Sequence, residues 1–194
     1  KKIVTLLMAS VLTVMCATGC GNGNQNAADN KVDANTQDTQ TESVDEDQKM
    51  ADEVADLIDA IYVQERTDDT DAQCEAAKAA WDKLTDTQKA LVEGENADPD
   101  YFGRDTGDAS KDDPRNQDDI GENEILVVSF GTSFNDSRVA DIKGIEDAIQ
   151  EANPSWSVRR AFTAQIIINH VQARDGEKID NMDQALERAV AMMS

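Results

Sequence analysis

The stretch ILVVSFGTSFNDSRVADIKGIEDAIQEANPSWSVRRAF, residues 125–162, decides the fold class of this 194-residue chain. Residues 125–130 are apolar apart from one serine, which is typical of a strand buried on both faces of a parallel sheet. Gly131 then permits a sharp turn, and the hydroxyl, amide and carboxylate side chains that follow can cap a helix. The sequence therefore predicts a strand, a glycine turn and a helix in that order.

A helix and a second strand are predicted after this turn. Apolar residues recur at spacings of three and four, as on one face of a helix: Val139, Ile142, Ile145 and Ile149. Asn153-Pro154 ends the helix, and residues 156–162 predict the next strand. The order fits one right-handed parallel crossover, so the fold class is α/β. Because ligands bind beyond the carboxyl ends of parallel strands, the functional edge is predicted at 130–135 and 162–165.

Three ordered strings in this region resemble one enzyme family. VVSFGTSFNDSR (127–138), VRRAFTAQIII (158–168) and ARDG (173–176) are similar to the start of the anaerobic-type sirohydrochlorin cobaltochelatases, which are class II chelatases. The resemblance implies two similar α/β halves with a tetrapyrrole between them, and insertion of Co2+ into sirohydrochlorin without ATP in cobalamin biosynthesis. It also implies Co2+ as the substrate metal, no covalently bound cofactor, and a possible homo-oligomer when the protein is full length.

Sirohydrochlorin carries many carboxylates, so its site needs N–H groups, hydroxyls and fixed cations. Thr132 and Ser133 can bind substrate, or they can simply cap the helix after a tight turn. Arg159 and Arg160 are adjacent, so on a strand they point to opposite faces, and the arginine that does not reach the ligand pairs with an acid on a covering helix. The predicted substrate-binding residues are Phe130, Gly131, Thr132, Ser133, Arg160 and Thr163.

No catalytic residue and no metal ligand are predicted within this chain. The metal-handling histidines that the resemblance implies lie in the C-terminal half of the family, beyond Ser194. The chain is therefore expected to be a C-terminally truncated form of the first lobe (124–194, a βαβα start), inactive alone. His170 is the only histidine, and we interpret it as a surface residue of a helix, because one imidazole cannot build a chelating site.

The first twenty residues predict an export signal of the lipoprotein kind. Lys1-Lys2 is followed by an apolar run to Cys16 that is too short to span a bilayer comfortably. Small residues precede Cys20, which resembles the lipidated cysteine of a bacterial lipobox; ordinary cleavage with an incidental cysteine is the alternative. The expected location is the extracytoplasmic face of a bacterial cell membrane, with the chain held by a lipid on Cys20.

The sequence between the signal and the α/β segment divides into three parts. Residues 21–49 are polar and acidic and predict a disordered tether, and residues 95–123 predict a second acidic linker. Residues 50–94 carry two apolar stripes at helical spacing and a capping box at Thr85 and Gln88, so they predict a small helical module. The string AAKAAWDKLTDTQKALV (76–92) resembles helical spacers of Gram-positive surface proteins; a partner-binding module is the alternative.

The distribution of charge argues against one class of partner, and the number of cysteines argues against disulfides. Residues 125–194 hold ten acidic and seven basic residues, so −3 of the formal charge of −22 lies there and −19 lies upstream. Such a chain is not expected to bind nucleic acid. After loss of the signal and acylation of Cys20, only Cys74 is left, so no disulfide within the mature chain is expected, and Cys74 is interpreted as a small apolar helix residue.

Three interpretations of function stay open. The first is a surface-tethered cobaltochelatase with sirohydrochlorin as its substrate. The second is a tetrapyrrole or metal carrier that reuses the chelatase fold outside the cell. The third is a nonfunctional truncation, because two strands with their helices leave a sheet edge and an apolar face uncovered.

Overall fold

A computed structural model describes residues 35–116 and 122–192, with side chains for 44–116 and 122–191. The predicted export signal at 1–20, with the lipidation at Cys20, lies outside the described residues, as does the first part of the tether. The elements follow in chain order: α1 (Asn35–Ile61), α2 (Thr70–Trp81), α3 (Asp86–Lys89), a 3-10 turn (Ala109–Lys111), β1 (Glu124–Ser129), α4 (Asn135–Ser137), a π-helical turn (Arg138–Lys143), α5 (Gly144–Ala152), β2 (Ser157–Phe162), α6 (Gln165–Asp175) and α7 (Met182–Met192).

The predicted crossover is confirmed. β1 and β2 pair in parallel, with Glu124 opposite Ser157 and Ser129 opposite Phe162, and the helices between them form the connection. An isolated parallel bridge joins Phe162 to Asn181 on the chain after α6. The architecture is therefore mixed α/β. The sequence predicted β1 as the only neighbour of β2, whereas β2 also forms a single bridge on its other side.

The predicted apolar stripe of the connecting helix is only partly right. Ile142 packs against the second core cluster, but Ile145 is 59% exposed and the neighbouring Glu146 is fully buried. The reason is the π-helical turn Arg138–Lys143, since each turn of this kind takes up more residues than an α-helical turn and so rotates the face that follows it. Glu146 then faces Arg160 on β2, and an ion pair stands where the periodicity predicted an isoleucine.

A first core lies in what we call the helical module, which comprises α1, α2 and α3 with the loops between them, and residues 97–102. The capping box at Thr85 and Gln88 is confirmed, and Cys74 is fully buried as an apolar residue of α2. The large side chains of this core include Ile58, Ile61, Trp81, Tyr101 and Phe102, and Ala173 of α6 belongs to the same cluster. The module therefore packs directly on the α/β lobe, by which we mean residues 123–192.

The predictions of a tether at 21–49 and a linker at 95–123 are wrong for much of their length. Residues 35–49 form the start of α1. In the acidic run, the carboxylate of Asp59 accepts hydrogen bonds from the backbone N–H groups of residues 95–97 at 2.7–3.0 Å. Phe102 then packs edge-on against Trp81 at 5.6 Å between ring centroids. The contact between Phe102 and Trp81 thus anchors a segment whose average composition is that of a linker.

A second, smaller core lies under the sheet. Phe162, Ile168, Val171 and Ile179 are buried together there, with Ile142 and Ile167 at its margin. The described residues of both cores belong to one compact unit that begins at Asn35. Among residues 35–116 and 122–192, no helix has both the length and the apolar character needed to cross a membrane.

Candidate functional site

The turn after β1 has a conformation that depends on glycine. Gly131 has φ of +95°, and a Cβ at this position would lie 2.4 Å from Cδ2 of Phe162. An L-residue would therefore meet both an unfavourable dihedral and the Phe162 ring. Phe162 is the last residue of β2, so this close approach lies where the parallel pairing places the carboxyl ends of the two strands at one edge.

Backbone hydrogen bonds tie that edge to the start of α6. The N–H of Thr163 donates to the carbonyl of Ser129 at 2.9 Å, and the N–H of Ala164 donates to the carbonyl of Phe130 at 3.3 Å. Phe130 is 67% exposed, and Thr163 is exposed as well. We call residues 130–133 and 163 the carboxyl edge. The structure brings five of the six predicted substrate-binding residues together at this edge, in the place that the strand order predicted.

Two arginines hold the turn from its inner side. Arg174 donates to the carbonyl of Ser133 at 2.7 Å, and Arg138 donates to the carbonyl of Thr132 at 3.5 Å. The hydroxyl of Thr132 accepts from the N–H of Phe134 at 3.2 Å, and Phe134, the residue before α4, gives the helix no side-chain cap. The expected capping of this helix by a hydroxyl or amide side chain is therefore wrong.

Asn135 instead joins the turn to the segment upstream of the sheet. Its amide donates to the carbonyl of Gly107 at 3.2 Å, and its side-chain oxygen accepts from Arg138 at 2.6 Å and from Arg174 at 3.0 Å. Asn135 is almost fully buried, so these bonds form in a setting of low dielectric constant. The turn is thus held in position by groups beneath it.

Arg160 is not at the carboxyl edge. Its side chain is fully buried, and it donates to Glu146 at 2.9 and 2.8 Å and to Asp112 at 2.7 and 2.9 Å. Each of the three guanidinium nitrogens therefore donates to a carboxylate, and the structure argues against the predicted contact of Arg160 with substrate. Arg159 points to the opposite sheet face, as strand alternation predicts, and donates to Glu124 at 2.9 Å.

Arg160 belongs to a buried group of five charged residues that we call the charge cluster: Asp112, Arg138, Glu146, Arg160 and Glu177. Burial alone would raise the pKa of Asp112, but the hydrogen bonds from Arg160 and Arg138 outweigh it and hold this pKa well below the usual range. Burial raises the pKa of Glu177 to about 7, and the positive charge of Arg138 offsets only part of this increase. Glu177 is thus poised to exchange its proton near neutral pH.

His170 is not a free surface residue. Its ring stacks on Tyr101 with 4.3 Å between centroids, and its Nε2 is buried without a hydrogen-bond partner. Burial, followed by the positive charge of Arg174, lowers the pKa of His170 to about 4. The imidazole is therefore neutral at physiological pH and is part of the contact between α6 and the helical module.

A shallow cleft of about 560 Å³ lies beside the carboxyl edge, but its lining is acidic. Asp108, Asp112, Asp175 and Glu177 contribute to its walls. Carboxylates facing a polycarboxylate ligand repel it, so this cleft is a poor place for such a ligand. Among residues 35–116 and 122–192, no group of three or more histidine, cysteine or carboxylate side chains is arranged to hold a metal ion.

Sequence reasoning missed the residues that support the turn. Arg138 and Arg174 lie within the quoted strings, so their presence could have been noted, but a sequence gives no sign that they bind backbone carbonyls. Asp112 lies in a run of acidic residues, 112–119, that contains no feature setting it apart. Only the fold shows that this one carboxylate enters the interior.

Comparison with known proteins bears on the α/β lobe alone. Residues 123–192 match the model of the family described as Cobalt chelatase (CbiK). The sirohydrochlorin cobaltochelatase of Salmonella typhimurium is 40% identical over 67 residues, which are 34% of this chain and 25% of that relative. The chain thus spans about a quarter of the length of this curated relative. No solved structure matches the chain. The resemblance stated from the sequence is confirmed for this segment, and the α/β lobe is related to the cobalt chelatase family.

Proposed function

We propose that the α/β lobe binds sirohydrochlorin at the carboxyl edge, and that the whole protein is a sirohydrochlorin cobaltochelatase. The similarity of residues 123–192 to cobalt chelatases carries this proposal. The geometry supports it, since parallel pairing brings the ends of both strands together, and Phe130 and Thr163 are both exposed there. An aromatic ring and backbone N–H donors suit a flat macrocycle that carries carboxylates.

Metal insertion requires that two pyrrole protons leave and that Co2+ exchanges water for ring nitrogens. Co2+ is the substrate metal here, and imidazole and carboxylate are the side chains that suit it. We assign the described part of the lobe to macrocycle binding and assign no catalytic role to its residues. His170 is neutral and packed against Tyr101, so it takes no part in this proposal.

The test is a titration of the chain with sirohydrochlorin, followed by absorbance and fluorescence, with and without Co2+. We expect saturable binding by the wild-type chain and at least tenfold weaker binding by Gly131→Val, which fills the space of the Phe162 ring. Gly144→Ala is the matched control, because nothing lies within 4 Å of a Cβ at this helical position. Equal binding by all three proteins, or none by the wild type, would refute the proposal.

The same titration, made with the full-length protein because no catalytic role is assigned to the described residues, separates the enzyme from the carrier that remains its alternative. The predicted export signal favours the carrier, because it places the chain outside the cytosol. A chelatase converts the spectrum to that of the cobalt complex, catalytically and with release of product. A carrier holds the metal-free macrocycle, or its complex, at a fixed stoichiometry without turnover.

We further propose that a lipid on Cys20 anchors the chain to the extracytoplasmic face of the membrane. The positive start, the short apolar run and the small residues before Cys20 support this. Metabolic labelling with palmitate is expected to mark the wild type and Cys16→Ala but not Cys20→Ala. Label on Cys20→Ala equal to that on the wild type would refute lipidation at this position.

A further inference from the structure

The loop between α1 and α2 lies against the first turn of α6. The side-chain oxygen of Gln64 accepts a hydrogen bond from the N–H of Gln165 at 2.9 Å. One turn further along α6, the amide of Asn169 donates to the carbonyl of Ile61 at 2.9 Å. Two polar contacts therefore fix residues 61–64 of the helical module to the amino-terminal half of this helix.

Gln64 provides the hydrogen-bond acceptor that the amino-terminal end of α6 does not have in its own sequence. The residue before the helix is Ala164, whose side chain cannot cap it. A helix begins with N–H groups that have no partner within the helix, and a side-chain oxygen from elsewhere can satisfy one of them. Since Ala164 itself is hydrogen-bonded to Phe130, the loop and the carboxyl edge adjoin the same first turn of α6.

Large apolar side chains are exposed in both segments that form hydrogen bonds with this turn or adjoin those that do. Tyr62 and Val63 are each 39% exposed, Phe134 is 49% exposed, and Phe130 is the most exposed of the four, whereas the preceding Ile61 is buried. Residues 62–64 and 130–135 contain no charged side chain, although the chain carries a formal charge of −22. These two segments therefore offer exposed aromatic and aliphatic side chains, and no carboxylates of their own, to a polyanion with an apolar ring face.

From these contacts we infer that Tyr62 and Val63 form a second wall of the tetrapyrrole site, fixed in place by Gln64. The inference rests on the proposed function and extends it to the helical module, which lies outside the segment similar to cobalt chelatases. The macrocycle lies with its ring face against these side chains and its carboxylates directed to solvent and to N–H groups of the carboxyl edge. The module is then part of the binding site and not a spacer.

The first experiment measures sirohydrochlorin affinity for the double variant Tyr62→Ala/Val63→Ala. Removing two apolar contacts from a site of this kind is expected to weaken binding about tenfold. Val44→Ala is the matched control, because Val44 is an exposed apolar residue of the same module on α1. All three side chains are exposed, so the thermal unfolding midpoint is expected to stay the same in both variants.

The second experiment reports proximity independently of affinity. The indole introduced by Tyr62→Trp is expected to lose fluorescence when sirohydrochlorin binds, and the indole introduced by Val44→Trp is expected to lose much less. Wild-type affinity in the double variant, or equal quenching at both positions, would overturn the inference while leaving the proposed function standing. No binding by the wild-type chain would instead refute the proposed function itself, and this inference with it.

Discussion

Asp112 is the residue whose removal tests the packing of this molecule most directly. Its Oδ2 accepts from Nε of Arg138 at 2.6 Å and from Nη1 of Arg160 at 2.7 Å, and its Oδ1 accepts from Nη2 of Arg160 at 2.9 Å. The three side chains are fully buried. Asp112→Asn keeps the shape of the side chain but leaves two guanidinium groups facing a neutral amide in the interior.

The expected loss in the free energy of unfolding depends on the ion pairs that the two arginines retain. Removing one partner of a buried ion pair costs about 3–5 kcal/mol, because an uncompensated charge stays in the interior. Arg160 still has Glu146, and Arg138 still has Glu177 at 3.1 Å, so the lower end of that range applies. We therefore expect the free energy of unfolding to fall by about 3 kcal/mol, which lowers the unfolding midpoint by roughly 6–12 °C in a unit of this size.

Urea unfolding followed by tryptophan fluorescence measures this difference, since Trp81 lies in the core of the helical module. Asp108→Asn is the matched control, because its side chain is 53% exposed and belongs to the same loop. A loss below about 1 kcal/mol in Asp112→Asn, or a loss equal to that of the control, would contradict the reasoning. It would mean that the segment around Asp112 does not enter the interior as described.

Three further predictions concern single positions. Gly131→Ala is expected to lower the free energy of unfolding by about 2 kcal/mol or more, whereas Gly144→Ala raises it by up to about 1 kcal/mol, as urea unfolding will measure. For Glu177, the folded-state pKa of about 7 lies above the ordinary value of 4.5, so its contribution to stability is full below pH 4.5 and is lost as pH rises through 7. Glu177→Gln is expected to flatten the fall of the unfolding midpoint between pH 5 and 8, and an unchanged profile would contradict the assignment. Burial raises the pKa of the Cys74 thiol to about 11, so iodoacetamide should label it only after unfolding, which mass spectrometry will detect; rapid labelling of the native chain would be inconsistent with this.

Local patterns predicted the sheet well because the relevant physics is local. A continuous apolar run, a glycine and a proline-terminated helical stretch each constrain the backbone directly, and together they predicted β1, the turn at Gly131 and β2. The strand order correctly predicted that five of the named residues lie at one edge, since parallel strands bring their carboxyl ends together, and substrate binding by these residues stays a prediction. The site prediction was wrong for Arg160, because alternation shows that adjacent residues face opposite sides without showing what covers each side.

The upstream segment could not be predicted from composition for a related reason. Acidic, turn-rich sequence usually stays solvated, because it cannot bury enough apolar surface to offset the entropy of ordering. Here the acids have specific partners: Asp59 binds backbone N–H groups of residues 95–97, and Asp112 binds arginines that are 26 and 48 residues away. Composition averages over a window of sequence, and it holds no information on a partner that only the folded chain brings near.

The α/β lobe is joined to the residues upstream of it by contacts of two kinds, and both kinds argue that these upstream residues are not an independent spacer. Cys74 and Asn169 are in contact through the thiol and a backbone carbonyl at 3.6 Å, and Asp71 accepts from Gln172 at 2.9 Å, so α2 lies directly on α6. Asp112 is the carboxylate that the two buried arginines of the lobe share. Because these groups lie upstream of residue 123, the segment similar to cobalt chelatases would by itself expose one face of α6 and leave Arg138 and Arg160 without this shared hydrogen-bond acceptor. We therefore expect residues 120–194 alone to be only weakly stable, because the groups that cover α6 and bind the buried arginines are then removed. The contacts of α2 with α6 make the module a structural part of the lobe.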